Sequence, residues 1–384
     1  MLDFMDFSYS EEQLLFRDSL RRFLEKEVAP LCDPAEDCGR FPQKLFPRFG
    51  EMGYLGIAYP EEVGGMGLGY QTFCLYAEEL GQVNAGVAGS LLAHSSIGTV
   101  PVFLLGNDEQ KERFLKPGIR GEKVGSFALT EPGAGSDAAG ITTSAVLKGD
   151  RYVINGTKTF ITNGPFCDYA LVAATTDKAK GLKGIVILVV EKGTPGFSVS
   201  EPYKKMGNKS QECGELCFED CEVPVENRLG PEEGGFYTIM EALNSGRMVV
   251  AARSVGLAEV AYRAAKEYAK DRKQFGRPLS KFQLIQSKLA LMATEIAASR
   301  ALVQRAAWIR DTGGDPALPA AMAKLKATET AMMVTSEAVQ ILGGYGYMQE
   351  YPVERYFRDA KVLTIIEGTS EIQQLIIARR LLEK

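Results

Sequence analysis

The chain contains 384 residues, which is enough for two or three domains with hydrophobic cores of their own. Hydrophobic residues make up 45% and charged residues 24% of the sequence, a composition that excludes a disordered, collagen-like or coiled-coil chain. The formal net charge is −5, with 44 basic and 49 acidic side chains and no run of four basic residues. A nucleic-acid-binding surface is therefore not expected.

Three features bear on the compartment. The longest strand-like apolar run, Ile185 to Val190, is far shorter than the about 20 residues that a helix needs to cross a bilayer, so no membrane span is predicted. The segment Met1 to Asp6 is acidic, where a signal or transit peptide would be basic. The seven cysteines, an odd number, favour a reducing compartment. We expect a soluble cytoplasmic protein.

The sequence contains one histidine, His94. A metal site that requires two or more imidazole ligands is therefore excluded, and no metal is predicted. A Ser-His-Asp or Cys-His mechanism would need His94, which lies among apolar and small residues, and no nucleophile elbow is present elsewhere. A packed structural histidine is the favoured interpretation.

Residues 1–124 are predicted to form an N-terminal α-helical domain. Apolar residues in 11–28 recur at helical spacing, with Ser10 available as the N-cap and Pro30 as the stop. A Gly-rich loop at 60–69 precedes a further helix at 71–81.

Residues 125–231 are predicted to form a middle antiparallel β domain, either a barrel or a sandwich. Turn signals at Lys148-Gly149-Asp150 and Asn155-Gly156 separate short β-rich runs. The predicted strands cover residues 125–130, 143–148, 151–155, 158–162, 169–175, 184–191, 197–201 and 214–219.

Residues 232–384 are predicted to form a C-terminal antiparallel helical bundle, because long helical segments are joined by short Gly/Pro loops. The predicted helices cover residues 236–273, 279–311, 318–342 and 370–382. The fold class is thus α+β and multidomain, in the order α, β, α.

Two motifs suggest cofactors that the surrounding sequence does not support. The glycines of Thr130 to Asp137 are followed by β-rich sequence and lack a third glycine at the right spacing, so a dinucleotide-binding Rossmann loop is not predicted. The loop is either a simple turn or a source of backbone N–H groups for a phosphate or flavin. Cys213, Cys217 and Cys221 lie along one predicted strand, too far apart to ligate one iron–sulfur cluster.

The segment Arg272 to Pro278 contains three cations at the end of a predicted helix. Such cations stabilise the negative end of the helix dipole. The alternative is a fork that binds an anion, because arginine offers two parallel donors to a phosphate. The residues alone leave both interpretations open.

Glu367 lies in the turn before the last predicted helix, where Ser370 and Gln373 have the spacing of a capping box. It follows the apolar pair Ile365-Ile366, a setting that raises the pKa of a carboxyl and suits a general base acting on a carbon acid. The alternative is that Glu367 completes a second capping box with Thr364. The spacing does not decide between the two.

Five segments, in order along the whole chain, resemble the acyl-CoA dehydrogenase family. They are FALTEPGAGSD (Phe127 to Asp137), KTFITNG (Lys158 to Gly164), DRKQFGRPL (Asp271 to Leu279), QILGGYGY (Gln340 to Tyr347) and IIEGTSEIQ (Ile365 to Gln373). The resemblance implies an enzyme that uses FAD to remove two hydrogens from the Cα–Cβ bond of an acyl-CoA thioester. Glu367 matches the family's base, which takes the α-proton, and its backbone N–H, with a flavin hydroxyl, polarises the thioester carbonyl.

The resemblance also assigns binding residues. Those implied to contact FAD within one subunit are Phe127, Leu129, Thr130, Gly135, Ser136, Phe160, Ile161, Thr162, Thr369 and Glu371. Those implied to reach FAD across a subunit interface are Arg272, Gln283, Gln340, Gly343 and Gly344, and Phe275 is a further implied FAD contact. Residues implied to lie beside the substrate are Ser136, Asn244, Arg247 and Gly368.

The implied partners are an acyl-CoA substrate, an electron-transferring flavoprotein and further copies of the chain, with a homotetramer expected. An acyl-CoA oxidase that uses dioxygen and a non-catalytic flavoprotein of the same fold are the alternatives. Phe160 and Ile366 stand where family members often have tryptophan and tyrosine, which leaves the acyl chain length open. The segment 244–248 has no acid that could replace Glu367 as the base, and Val87 to Ser90 lack the arginine of glutaryl-CoA dehydrogenases, so a dicarboxylyl substrate is not expected.

Overall fold

The structure is a computed structural model that describes residues 8–233 and 235–382. The acidic segment Met1 to Asp6, which entered the prediction of compartment, lies outside the described residues.

The chain begins with helices joined by short loops. Ser10 caps the first helix as predicted: its Oγ accepts from the Gln13 N–H at 3.2 Å, and the Gln13 side chain accepts from the Ser10 N–H at 3.0 Å. The helices are α1 (Glu11–Phe23), α2 (Ala29–Cys38), α3 (Leu45–Glu51), α4 (Gly69–Val83), α5 (Ala85–Ala93), α6 (Val100–Leu105), α7 (Asp108–Gln110) and α8 (Lys116–Ile119).

The prediction that Pro30 stops the first helix is wrong. A π-helical turn, Leu24–Val28, follows α1 and leads directly into α2. Pro30 lies in the first turn of α2 and has no N–H to donate, and the π-helical turn directly before it lets the helical path continue past the proline.

The segment Ala85–Leu105 is long and apolar enough, by length and composition, to cross a membrane, although the sequence did not predict a span. Within the protein, 78% of its most apolar window is buried. Such burial is typical of a core helix, and the segment is interrupted by a π-helical turn, His94–Gly98.

A mainly antiparallel sheet follows the helices. Its strands are β1 (Gly125–Ala128), β2 (Ser144–Lys148), β3 (Arg151–Thr162), β4 (Tyr169–Thr175), β5 (Ile185–Glu191), β6 (Phe197–Val199), β7 (Cys213–Pro224) and β8 (Arg228–Leu229). Their order is β6-β7-β3-β2-β4-β5-β8, with β1 added alongside β4. The β1–β4 pair is parallel, a departure from the antiparallel pattern that the sequence predicted.

The predicted turn at Asn155-Gly156 is also wrong, because β3 runs through it as one strand. The register of β3 against β7 shifts between Ile154 and Gly156. Gly156 has φ 149°, and a side chain there would crowd Oγ1 of Thr143 at 2.6 Å. The Asn155 side chain bonds both the N–H and the carboxylate of Asp220, so Asn-Gly here builds a bulge.

The C-terminal part is helical. Its long helices are α9 (Gly235–Asp271), α10 (Gln283–Asp311) and α11 (Ala317–Leu342), with the short strands β9 (Lys273–Gln274) and β10 (Arg277–Pro278) between the first two. Two shorter helices follow, α12 (Val353–Leu363) and α13 (Ser370–Leu382). The sequence analysis missed α12, whose buried side chains at Val353, Ala360 and Leu363 have helical spacing.

One hydrophobic core joins the two helical parts of the chain. It includes Leu20 and Phe49 from the first part and Val255 and Val334 from the second. A second core lies between the sheet and the helices near residues 100–119, and a third fills the interior of the β region. The sheet is thereby held against both helical parts, and the turn before α13 faces α9 and α11.

His94 is structural, as predicted. It is completely buried, its Nδ1 accepts from the Gly125 N–H at 3.0 Å, and its Nε2 donates to the Gly118 carbonyl at 3.0 Å. Burial lowers its pKa, which keeps the ring neutral. The described residues contain no group of three or more His, Cys, Asp or Glu side chains that could hold a metal ion.

Candidate active site

Glu367 lies in a sharp turn between α12 and α13. Its φ is 52°, and that of Gly368 is 94°, so two successive residues adopt left-handed conformations. For a glutamate this conformation is strained, and such strain persists where surrounding contacts enforce it. Here Lys324 Nζ donates to the Gly368 carbonyl at 2.8 Å, and Gln373 Nε2 donates to the carbonyls of Glu367 and Gly368 at 3.2 and 3.0 Å.

The carboxylate of Glu367 enters the protein against α9. A side chain at Gly246 would overlap Oε2 of Glu367 and would approach its Cδ to 2.7 Å. The glycine therefore makes room for the carboxylate. Glu367 as a whole is half-buried, but its Oε2 is shut off from solvent and has no hydrogen-bond partner among the described residues.

Burial raises the pKa of Glu367 to about 7, and the positive charges of Arg247, Lys324 and Arg253 limit the rise. None of these three cations makes a hydrogen bond with the carboxylate in the described part of the chain. A carboxyl with a pKa near neutrality and a free oxygen is suited to take a proton from carbon.

The structure excludes the alternative in which Glu367 serves as a cap. Among the described residues, Thr364 Oγ1 bonds only Lys361, and no hydrogen bond joins it to the backbone N–H of Glu367. The predicted cap of the last helix is also wrong. The N–H of Ile372 bonds Oγ1 of Thr369 at 3.3 Å, whereas Oγ of Ser370 has no partner in the described part of the chain.

Two predicted substrate residues, Asn244 and Arg247, flank Gly246 on α9. Both are buried, and Arg247 Nη1 donates to Oδ1 of Asn244 at 2.8 Å. The Nε of Arg247 has no partner among the described residues, and burial lowers the pKa of this guanidinium. Asn244 and Arg247 thus lie on the helix that contacts the turn of Glu367 and Gly368, whereas Ser136, the other predicted substrate residue, is exposed at the rim of the sheet.

A buried ion pair fixes the rim of the sheet near the predicted FAD residues. Lys158 Nζ lies 2.8 Å from Oε1 of Glu131 and 3.0 Å from the Leu129 carbonyl. Burial would raise the pKa of Glu131, but hydrogen bonds from Lys158, Thr143 and Thr142 outweigh it and hold that pKa well below its usual range. The pair locks the backbone that carries Leu129 and Thr130.

The predicted FAD residues on the sheet differ in exposure. Phe127 and Ile161 are buried, whereas Leu129, Thr130 and Thr162 are half-buried. The backbone joins the two segments, because the Thr159 N–H donates to the Thr130 carbonyl at 2.9 Å.

The outer part of this rim is open. Gly135 and Ser136 are exposed, and a side chain at Gly133 or Gly135 would meet no atom within 4 Å. Phe160 is 67% exposed with φ 60°. An exposed aromatic ring in a strained conformation, next to an open glycine loop, provides a surface on which a planar ring can stack.

A second group of predicted FAD residues forms a separate pocket of about 440 Å³ on the C-terminal helices. Arg272, Gly343 and Gly344 line it, and the Arg272 guanidinium lies 5.5 Å from the Tyr345 ring centre. Among the described residues no carbonyl or carboxylate bonds the Arg272 side chain, so its guanidinium is available to an anion, while its position at the end of α9 also suits the helix dipole. Other exposed residues predicted to contact FAD on this face are Phe275, Gln283 and Gln340.

This second pocket has no lining residue in common with the Glu367 site. Its exposure within one chain is consistent with the prediction that it completes a cofactor site on another subunit. Of the two remaining predicted contacts, Thr369 is half-buried at the start of α13 and Glu371 is exposed.

The sequence analysis missed three residues at the site: Gly246, Lys324 and Arg253. Lys324 and Arg253 are buried cations in apolar helices, and a lysine or arginine at an apolar helical position is a signal that could have been noticed. Gly246 carried no signal, because its role depends on a carboxylate more than 100 residues away in the sequence.

Comparisons with known proteins agree with this architecture. Three family models match, described as the N-terminal, middle and C-terminal domains of acyl-CoA dehydrogenase, at residues 10–122, 126–221 and 233–382. A short-chain-specific acyl-CoA dehydrogenase of Clostridium acetobutylicum is 44% identical, over 98% of this chain and 100% of the relative.

Two solved structures have nearly the same fold. Butyryl-CoA dehydrogenase from Megasphaera elsdenii has a TM-score of 0.95 and 44% identity, over 98% of this chain and 100% of its own. A chain in the structure described as "Electron transferring flavoprotein of Acidaminococcus fermentans: Towards a mechanism of flavin-based electron bifurcation" has a TM-score of 0.96 and 46% identity, over 99% and 100%. The chain therefore belongs to the acyl-CoA dehydrogenase family of FAD-dependent oxidoreductases.

Proposed function

We propose that this enzyme converts an acyl-CoA thioester to the 2,3-enoyl-CoA, with Glu367 taking the α-proton. The observation that carries the proposal is the carboxyl of Glu367, whose Oε2 is enclosed without a partner among the described residues and whose pKa burial raises to about 7. A base with this pKa is about half ionised at pH 7, and it still binds a proton well enough to remove one from carbon.

The turn that holds Glu367 also offers a donor for the developing negative charge. Among the described residues, no acceptor bonds the backbone N–H of Glu367. In the proposed complex this N–H donates to the thioester carbonyl oxygen and stabilises the enolate-like charge that forms when the proton leaves. Lys324 and Gln373 hold the turn through hydrogen bonds to the backbone carbonyls of Gly368 and Glu367. The backbone N–H and the carboxylate of Glu367 therefore keep a fixed relative position.

The residues present fit FAD. The exposed Phe160 ring offers a surface for stacking, and the open loop at Gly133 and Gly135 lets a ligand approach the backbone. The Ser370 hydroxyl, which has no partner among the described residues, can form a hydrogen bond. When bound, FAD supplies the acceptor for the hydride that leaves the β-carbon. The proposed contacts within one subunit are those that the sequence predicted at Phe127 to Ser136, Phe160 to Thr162, and Thr369 to Glu371.

We propose that Arg272 and its pocket bind the FAD phosphates of a second copy of the chain, so the working form is a homo-oligomer, expected to be a tetramer. The support is an arginine without a carboxylate partner beside two exposed glycines, where a side chain would meet no atom within 4 Å. We also keep the proposed domain boundaries after residues 124 and 231, since β1 and α9 begin close to them.

We propose an electron-transferring flavoprotein as the electron acceptor. The support comes from relatives: one structural neighbour is described as an electron-transferring flavoprotein structure, and a relative with 42% identity is named "Caffeyl-CoA reductase-Etf complex subunit CarC" in Acetobacterium woodii. A cytoplasmic location is proposed as well, because all seven cysteines are free.

The test is a panel of acyl-CoA thioesters added anaerobically to the purified FAD-loaded protein, with bleaching of the flavin absorbance as the readout. We expect at least one thioester to bleach the flavin and the electrons to pass to an added electron-transferring flavoprotein. Stoichiometric hydrogen peroxide in air would instead identify an oxidase. A flavin that no thioester reduces would contradict the proposed reaction.

A further inference from the structure

Arg253 on α9 is a buried cation, two of whose nitrogen atoms bond none of the described residues. The residue is 2% exposed, and its Nε and Nη2 are enclosed without a hydrogen bond to any described residue. A buried guanidinium is costly to desolvate unless an acceptor compensates it. Its positive charge limits the rise in the pKa of Glu367, but that effect leaves the hydrogen-bond donors of the guanidinium unused.

The surroundings of Arg253 contain a second polar group. A side chain at Gly89 on α5 would overlap both Nη1 of Arg253 and Oε1 of Gln211. The guanidinium and the amide therefore lie together over the backbone of Gly89. Gln211 is in turn tied to the predicted flavin side of the site, because its Nε2 donates to Oγ1 of Thr162 at 3.0 Å.

The nearby carboxylates do not satisfy this guanidinium. Burial lowers the pKa of Arg253 to about 10, and the charges of Glu367 and Asp359 oppose the shift. Neither carboxylate hydrogen-bonds Arg253 within the described chain. Asp359 is already bonded by the N–H of Asn208, and Oε2 of Glu367 is unpartnered.

Arg253 has a defined position relative to Glu367. Gly246 touches the carboxylate of Glu367, and Arg253 follows seven residues later on α9. Residues seven apart lie on the same helix face, about 10 Å apart along the axis. The Arg253 side chain thus starts from the face of α9 that contacts Glu367. It is displaced along the helix from Gly246, beside which the α-carbon of the proposed substrate would lie.

We propose that Arg253, whose Nη1 lies beside the amide oxygen of Gln211, binds a carboxylate at the far end of the substrate's acyl group, so that the enzyme prefers ω-carboxyacyl-CoA thioesters to unsubstituted ones. The planar fork of arginine matches a carboxylate in a bidentate pair. This inference rests on the proposed acyl-CoA function. The sequence analysis did not expect a dicarboxylyl substrate, because Val87 to Ser90 contain no arginine. The present proposal replaces that expectation, because α9 places the Arg253 guanidinium against Gly89 in the same segment.

The experiment measures binding in a Glu367→Gln background, where the FAD-loaded protein holds the thioester without turnover. Glutaryl-CoA and pentanoyl-CoA, which have equal numbers of acyl carbons, are titrated and followed by the perturbation of the flavin spectrum. We expect Arg253→Gln to weaken glutaryl-CoA binding at least about tenfold, as the loss of a charge-assisted pair does, and to leave pentanoyl-CoA binding within about twofold. Arg253→Lys, which keeps the charge without the fork, should weaken glutaryl-CoA less.

Arg263→Gln is the matched control, because Arg263 is exposed on the same helix and bonds Gln82. It should change neither affinity. Equal weakening of both thioesters by Arg253→Gln, or tighter binding of pentanoyl-CoA by the parent protein, would overturn the proposal.

The wild-type protein separates this proposal from the proposed function. If glutaryl-CoA binds through Arg253 but no thioester reduces the flavin, the dehydrogenation proposal fails and the carboxylate site stands. If pentanoyl-CoA reduces the flavin and glutaryl-CoA neither binds nor reacts, the carboxylate site fails and the dehydrogenation proposal stands.

Discussion

Replacing Glu367 by glutamine removes a buried titrating group and keeps the shape of the side chain. Burial raises the pKa of this carboxyl from its ordinary value of 4.5 to about 7. The folded protein therefore holds this proton more tightly than the unfolded chain does. Between pH 4.5 and 7 folding takes up a proton, so wild-type stability falls as the pH rises through this window.

The size of the effect follows from the shift. Each pKa unit corresponds to about 1.4 kcal/mol, so the ionised group destabilises the folded wild type by about 3 kcal/mol above pH 7. Below pH 4.5 the carboxyl is neutral in both states and resembles glutamine. We expect Glu367→Gln to match wild-type stability near pH 4.5 and to exceed it by about 3 kcal/mol at pH 8.

Calorimetric unfolding of both FAD-loaded proteins between pH 5 and pH 8 tests this reasoning. The gap between the two melting temperatures should widen with pH and level off above about pH 7. Glu350→Gln, which replaces an exposed glutamate, is the control and should show no such trend. A gap that does not change with pH, or a variant less stable than the wild type at pH 8, would refute the assignment of a buried, unsatisfied carboxylate.

The same variant separates the base from a purely structural carboxyl. Anaerobic flavin reduction should slow by about 10²- to 10⁴-fold in Glu367→Gln, the range usual for loss of a general base. In the wild type the reduction rate should rise with pH and level off above about 7, since only the ionised carboxyl accepts a proton. Near-wild-type reduction in the variant would exclude Glu367 as the base.

Three further variants test the surroundings of the site. Gly246→Ala should displace the carboxylate and slow flavin reduction at least about tenfold by stopped-flow absorbance, because its methyl group would overlap Oε2 of Glu367. Lys324→Met should release the turn and slow reduction while flavin content, measured by absorbance, is kept. Arg272→Leu should weaken FAD retention about tenfold or more in dialysis assays through loss of a charge-assisted contact. Arg277→Leu, on the same exposed loop, should retain FAD, and equal losses in both would contradict the assignment.

Local sequence signals predicted the fold where they acted within one element. Ser10 caps the first helix as expected. Predictions failed where distant parts of the chain decided the outcome. Asn155-Gly156 has the sequence of a tight turn, but pairing with β7 and the close approach of Thr143 make it a bulge inside a long strand. Pro30 continues a helical path because a π-helical turn precedes it.

The candidate site shows the same division. Glu367 was recognisable from its apolar neighbours, its glycine and its family motif, all of which lie within a few residues. By contrast, the three cations near its carboxylate lie on α9 and α11, far away in the sequence. Neither these cations nor the lack of a partner for its Oε2 among the described residues could be predicted from the residues next to Glu367. The competing cap with Thr364 could be excluded only by the hydrogen bonds themselves, because the spacing suits both interpretations.

The arrangement around Glu367 balances two opposing requirements of a base that acts on carbon. Full burial without cations would raise its pKa so far that the carboxyl stays protonated at neutral pH, and a direct salt bridge would lower the pKa and occupy the oxygen that must take the proton. Here Arg247, Lys324 and Arg253 act on the carboxylate through their charge but bond other groups or none. Gly246 lets Oε2 approach α9 without offering it a donor. The carboxylate is therefore left ionisable near pH 7 and without a partner until a substrate presents its α-carbon.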